Sequence, residues 1–181
     1  REQLSDEYVI LFRAHYFVAN SFNFDAFSGF IYDVSHADDI NDLYMAADVL
    51  VTDYSSVFFD FANLGRPIIF YMYDQEYYKK QLRGFYLPET SLPGDIVNTE
   101  LQLAMSLKDL AAYRKKTRAK VRQFSDEYNY LDDGEASERV IQAVFQYDKR
   151  LVLDVITGDS TDLGHKKSLV KTSSLAPERS R

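Results

Sequence analysis

Cysteine is absent from the 181-residue sequence, which excludes both a disulfide framework and a metal site built from thiolates. No run of apolar residues approaches the roughly 20 that a helix needs to cross a bilayer. The sequence also lacks a glycine-rich phosphate loop of the dinucleotide-binding or P-loop kind, and it has no convincing serine–histidine–aspartate series. A hydrophobic core rather than disulfides must therefore hold the fold together, and any phosphate site must be built differently.

The composition is that of a globular domain with an uneven charge. Hydrophobic residues make up 46% of the chain and aromatic residues 15%, which is enough to build a core. The net charge is −7, yet residues 149–181 contain seven Lys and Arg against four Asp and Glu. The acidic remainder argues against general nucleic-acid binding, whereas the basic end leaves contact with an anionic surface open.

Short apolar segments alternate with helical patterns along the chain. We predict strands at residues 8–13, 30–34, 48–52, 67–71 and 96–97. This alternation predicts an α/β fold with a parallel, doubly wound, Rossmann-like sheet, followed by C-terminal helices. In the first of these helices, we expect Leu101, Met105 and Leu107 to form the apolar face.

The domain organisation follows from where these patterns fade. We expect one domain over residues 1–148 and a polar, basic, mobile tail over residues 149–181. Residues 1–4 read as the end of a helix rather than a natural start, so we expect the chain to be part of a longer protein.

The central feature of the sequence is a buried strand that runs directly into a helix. The predicted strand ends at Thr52, and Ser55 and Ser56 stand at the start of a helix that we expect to reach about Leu64. A helix start at the carboxyl end of a parallel strand favours a phosphate, and Asp60 could accept hydrogen bonds from ligand hydroxyls. The simpler alternative is that Ser55 only caps the helix and Asp60 is a surface residue.

A second strand end carries polar chemistry as well. Arg13 and His15 directly follow the first predicted strand. Ligands of such sheets bind outside the carboxyl ends of the strands, so Arg13, His15 and the two serines would converge on one anion if their strands are close. For His15, a ligand contact and a structural hydrogen bond are equally good interpretations.

Two charged clusters have simpler interpretations. Asp38, Asp39 and Asp42 could suggest a metal site, but their place at a helix start favours compensation of the helix dipole. Six Lys and Arg residues within 114–122 are typical of a solvated helix face, and the alternative is contact with anionic lipid headgroups or a polyanionic acceptor.

A series of segments in a fixed order closely resembles the C-terminal half of the CDP-glycerol glycerophosphotransferase family, the teichoic acid primases and polymerases. The resemblance covers roughly residues 4–147, and it is specific as a series although each segment alone is weak. The segments are RAHY at 13–16, DINDLY at 39–44, TDYSSVFFD at 52–60, RPIIFY at 66–71, YD at 73–74, RGFY at 83–86 and PG at 93–94.

The resemblance implies a GT-B fold of two Rossmann-like domains, of which this chain would be the C-terminal, donor-binding one. It implies that the CDP-activated donor is bound by Arg13, Ala14, His15, Ser55, Ser56 and Asp60, with Thr52 as a further contact. Family members often have Met or Leu at the position of Ala14, which matters little if that contact is made by the backbone. The general base would lie upstream, so we expect no catalytic residue in this chain and no activity from it alone.

The resemblance also implies the reaction of the whole protein. It would transfer glycerol phosphate, or another polyol phosphate such as ribitol phosphate, from a CDP donor to a lipid-linked wall polymer and release CMP. Such a bacterial enzyme of cell wall biogenesis would work at the cytoplasmic face of the membrane as a peripheral protein, and no cofactor or metal is implied. The alternatives are a non-catalytic nucleotide-binding module and a GT-B sugar transferase that uses a nucleotide sugar.

Overall fold

The computed structural model describes residues 2–4, 7–14, 23–82 and 84–145. The chain divides into two compact units, Arg1–Asp133 and Gly134–Arg181. The first unit contains, in order, β1 (Ile10–Phe12), β2 (Ile31–Asp33), α1 (Ile40–Ala46), β3 (Leu50–Thr52), α2 (Val57–Ala62), β4 (Ile68–Tyr71), α3 (Gln75–Gln81), β5 (Asp95–Val97), α4 (Glu100–Lys108) and α5 (Leu110–Tyr128).

The strands pair only in parallel, as the alternating pattern predicts. In the described part of the chain they form two sheets, β1–β2 and β3–β4–β5, rather than one. The α/β class and the parallel pairing are confirmed. Because β2 and β3 are not hydrogen-bonded to each other, the strand that ends at Arg13 and the strand that ends at Thr52 belong to different sheets.

The core surrounds β4, which is covered on both faces. Ile68 and Phe70 are fully buried in one cluster, and Ile69 is fully buried in another. Successive residues of a strand point to opposite faces, so this division places one cluster on each side of the sheet. Full burial of such side chains stabilises the fold by roughly 1.5–3 kcal/mol each. The first cluster includes Phe58, Phe61, Val121 and Phe124, and the second includes Val97, Leu107 and Tyr113.

Both ends of α1 are held by side chains. Asp39 is the N-cap, and its Oδ1 accepts a hydrogen bond of 2.8 Å from the Asn41 N–H, while Asp42 lies in the first turn, where its charge complements the helix dipole. At the other end, Nη1 of Arg66 donates to the carbonyl oxygens of Tyr44, Met45 and Ala47. Arg66 immediately precedes Pro67 and β4, so its guanidinium ties α1 to the start of the central strand.

The apolar face predicted for α4 is wrong in two of its three members. Leu101 and Met105 are both 65% exposed, whereas Leu107 is buried together with Ala104. A capping box formed by Thr99 and Gln102 starts the helix. The row that contains Ala104 and Leu107 packs inward, so Leu101 and Met105, one turn apart, lie on the outer side.

The second unit contains α6 (Ala136–Phe145) within its described residues. Val140, Ile141, Val144 and Phe145 recur along it at helical spacing, which is the pattern that favours a helix here. The predicted boundary at residue 148 and the tail over 149–181 lie outside the described residues and stay predictions. Within the described residues, no helix is both long and apolar enough to span a bilayer.

Candidate functional site

The turn between β3 and α2 presents both predicted serines to solvent. Thr52 is the last residue of β3 and is half-buried. The carboxylate of Asp53 accepts a hydrogen bond of 3.3 Å from the Ser55 N–H, which tightens the turn in the manner of an Asx turn. Ser56 is the N-cap of α2 but makes no side-chain cap. Neither serine hydroxyl has a hydrogen-bond partner among the described residues. This contradicts the simpler interpretation, in which the Ser55 side chain caps the helix.

Asp60 lies in the first turn of α2, four residues after Ser56. The two residues share a face of the helix, and both are exposed. The helix ends at Ala62, before the predicted end at about Leu64. Gly65 follows with a positive φ of 61°, as is common just after a helix. The start of α2 therefore carries the exposed Ser55 and Ser56 hydroxyls and, in its first turn, the carboxylate of Asp60.

Arg13 and Ala14 are held against the turn that follows β2. The Arg13 side chain is exposed and donates a hydrogen bond of 3.4 Å to the Ala37 carbonyl. The Ala14 N–H donates to Oγ of Ser35 at 3.1 Å, so this backbone group is already engaged. His15 lies outside the described residues.

Tyr44 on α1 has a buried hydroxyl group. Its side chain is 7% exposed, and its hydroxyl has no hydrogen-bond partner in the described part of the structure. Burial raises the pKa of Tyr44, the charge of Asp60 raises it further, and the charge of Arg13 lowers it. The charges of Asp60 and Arg13 thus act on the pKa of Tyr44 in opposite directions.

An aromatic group fixes the same turn from its other side, and sequence reasoning assigned it no role. The Tyr54 hydroxyl donates a hydrogen bond of 2.7 Å to Asp74, which follows β4. The Tyr54 ring stacks on Tyr78 with centroids 3.7 Å apart, and Phe85 packs against both rings. Burial and the carboxylate of Asp74 raise the pKa of Tyr54, so the hydroxyl stays a donor.

The signal for this contact was present in the sequence. Tyr54 and Asp74 stand in two of the segments that carry the family resemblance. They meet because β3 and β4 are adjacent parallel strands whose carboxyl ends lie at one edge of the sheet. Among the side chains that the model places, no group of three His, Asp or Glu could hold a metal ion.

Comparison with known proteins gives the context of this site. The family described as CDP-Glycerol:Poly(glycerophosphate) glycerophosphotransferase matches residues 1–146. The chain is 44% identical over 147 residues to the teichoic acid poly(glycerol phosphate) polymerase of Bacillus subtilis strain 168, covering 81% of the chain and 20% of that protein. It is also 44% identical over 147 residues to the teichoic acid glycerol-phosphate transferase of Staphylococcus aureus strain NCTC 8325 / PS 47, covering 81% and 37%.

A solved structure agrees with these relatives. A variant of the wall teichoic acid polymerase TagF, soaked with CDPG for 30 minutes, matches with a TM-score of 0.72 and 38% identity, over 80% of this chain and 36% of that one. The chain thus spans between a fifth and just over a third of the length of these proteins. The resemblance found in the ordered segments is confirmed, and the chain belongs to the CDP-glycerol:poly(glycerophosphate) glycerophosphotransferase family.

Proposed function

We propose that this chain forms the donor-binding part of an enzyme that transfers glycerol phosphate from CDP-glycerol to a teichoic acid or a related wall polymer. One observation carries the proposal. In a chain of this family, the turn after β3 presents the Ser55 and Ser56 hydroxyls to solvent, one helical turn from the carboxylate of Asp60. Hydroxyl donors suit the diphosphate of the donor, and a carboxylate suits its hydroxyl groups.

The reaction is a phosphoryl transfer. An acceptor hydroxyl attacks the phosphorus atom that carries glycerol, the bond from that phosphorus to the bridging oxygen breaks, and CMP leaves with the bridging oxygen. The positive charge of Arg13 and the hydroxyl donors of Ser55 and Ser56 stabilise the negative charge that develops on the phosphate oxygens. A base outside the described residues accepts the proton of the acceptor hydroxyl.

The remaining assignments extend this proposal to the whole protein. This chain is the C-terminal half of a GT-B fold, and Arg13, Ala14, His15 and Thr52 complete the donor site. The acceptor is lipid-linked, so the protein works at the cytoplasmic face of the membrane. The names of the relatives, which are teichoic acid polymerases and transferases, support teichoic acid as the polymer that is extended.

The proposal is tested by titrating the intact protein with CDP-glycerol in a calorimeter. We expect the Ser55→Ala/Ser56→Ala variant to bind at least about tenfold more weakly, because hydrogen bonds to a charged ligand contribute roughly 1.5–3 kcal/mol each. The matched control is Ser28→Ala/Ser106→Ala, which removes one hydroxyl from the segment before β2 and one from α4. Equal affinity in the first variant, or tighter binding of a nucleotide sugar than of CDP-glycerol, would overturn the proposal.

A further inference from the structure

A groove with a volume of about 640 Å³ lies between the C-terminal end of α2 and the side of α5. One wall is formed by residues 62–65. The other wall carries four cationic side chains of α5 and a single acidic one, Asp126, among the described residues that line it. We call this feature the basic groove, and its cations are Arg114, Lys115, Arg118 and Arg122.

The cations of the basic groove are mostly unpaired. Lys116 and Lys120, on another side of α5, both form ion pairs with Asp95. Within the groove, Arg122 lies 3.7 Å from Asp126 in an exposed pair. Arg114, Lys115 and Arg118 are exposed and have no acidic partner among the residues that the model places. The groove therefore carries an excess of positive charge that ion pairs among the described residues do not neutralise.

The spacing of the arginines favours a linear polyanion as the ligand of the basic groove. Arg114, Arg118 and Arg122 are four residues apart, which places them on one row of α5 with a repeat of about 6 Å along the helix axis. In a chain of glycerol phosphates, a three-carbon spacer separates successive phosphodiesters, and its extended length is similar to this repeat. Each guanidinium can bind one phosphodiester with two parallel hydrogen bonds.

The shape and place of the groove favour a polymer over a bilayer. The four cations lie along an open groove, a shape that a narrow polymer chain can follow along its length. The cleft contacts the C-terminal end of α2, whereas Ser55 and Ser56 precede its N-terminal end, about 9 Å away along the helix. A ligand in the cleft would leave the donor-binding turn free.

We infer that the basic groove binds the phosphodiester backbone of the growing acceptor polymer, away from its reactive end. This inference rests on the proposed function, and it adds the place where an internal segment of the acceptor is held. Such a contact would keep the polymer bound between successive additions.

The test measures binding of a glycerol phosphate oligomer, long enough to span α5, to the intact protein. We expect Arg114→Gln/Arg118→Gln to bind it about tenfold more weakly at low salt, with a smaller difference at high salt because surface charges are screened. The affinity for CDP-glycerol should not change. The matched control, Lys116→Gln/Lys120→Gln, removes the same charge from the same helix on the face that binds Asp95 and should keep the oligomer affinity.

Other outcomes have distinct meanings. An equal loss in both variants would reduce the effect to net charge and overturn the inference. A loss seen only with vesicles of anionic lipid, with oligomer affinity unchanged, would also overturn it in favour of membrane contact. A parent protein that binds the oligomer in the groove but does not bind CDP-glycerol would contradict the donor site while supporting this one. Thermal melting of each variant checks that the fold is intact, and Arg114→Lys/Arg118→Lys tests the need for the guanidinium fork.

Discussion

Two buried tyrosine hydroxyls have opposite effects on the stability of this fold, because only that of Tyr113 has a hydrogen-bond partner among the described residues. Tyr44 and Tyr113 are almost equally buried, at 7% and 6% exposure. The Tyr113 hydroxyl donates to the Ile68 carbonyl and accepts from the Asp95 N–H, and burial raises the pKa of Tyr113 to about 12. The Tyr44 hydroxyl has no partner in the described part of the chain. A buried polar group without a hydrogen bond costs free energy that a paired one recovers.

We therefore expect Tyr44→Phe to raise the free energy of unfolding by about 1 kcal/mol. Tyr113→Phe is the matched control, and it should lower the free energy of unfolding by about 1–3 kcal/mol because it leaves two backbone groups unpaired. Urea denaturation of both variants measures the difference. A Tyr44→Phe variant that is less stable than the parent would show that this hydroxyl is bonded in solution.

Gly94 is required by close packing rather than by backbone conformation. A Cβ atom at Gly94 would overlap the backbone carbonyl of Ile68. The carbonyl belongs to the buried strand β4 and cannot move aside easily. We expect Gly94→Ala to lower the free energy of unfolding by about 3 kcal/mol, measured by urea denaturation.

Gly65→Ala provides the comparison for this prediction. Its Cβ would meet nothing within 4 Å, and its positive φ of 61° is the source of strain. We expect a cost of only about 1 kcal/mol there. Equal costs at the two positions would mean that β4 and β5 separate to accept the extra carbon.

Contacts between elements explain how α5 is attached to the sheet and how that attachment depends on pH. Asp95 of β5 pairs with Lys116 and Lys120 of α5. Burial opposes ionisation of Asp95, but the two ammonium groups outweigh it and hold the pKa of Asp95 below its ordinary value of 3.8. The stabilisation is therefore fully present above about pH 4 and is lost as the pH falls through the lowered pKa.

We expect Asp95→Asn to destabilise the protein at pH 7 and to flatten the loss of stability below about pH 4. The measurement is the free energy of unfolding across the acid range. Asp126→Asn removes the carboxylate of an exposed pair with Arg122 and should change stability by no more than about 1 kcal/mol. An acid limb that keeps its slope in Asp95→Asn would contradict the assignment of this pH dependence to β5 and α5.

At the level of the complete chain, ligand binding and folding are linked. A ligand that binds only the folded protein raises the free energy of unfolding, by about 2.7 kcal/mol at 100 times its Kd. We expect CDP-glycerol to raise the melting temperature of the intact protein, and to do so much less at the same concentration in Ser55→Ala/Ser56→Ala. An identical rise in the double variant would place the donor away from the turn after β3.

Local patterns were sufficient for most of the elements. Strand composition located β3 and β4, and helices follow β5 as the sequence pattern predicts. The ordered segments were sufficient to identify the family, as the family match over residues 1–146 confirms. The face of α4 was mistaken because two rows of that helix are apolar, and spacing alone does not say which of them meets the sheet.

The amino-acid order alone was enough to predict the α/β class, the family and the residues proposed for the donor site. These predictions were possible because propensity, periodicity and ordered motifs are local properties of the chain. The division of the strands into two sheets, the Tyr54–Asp74 contact and the isolation of the Tyr44 hydroxyl depend on residues far apart in sequence. The basic groove depends on α2 meeting α5. Such contacts depend on which elements pack together, and the burial of the core around β4 determines that packing.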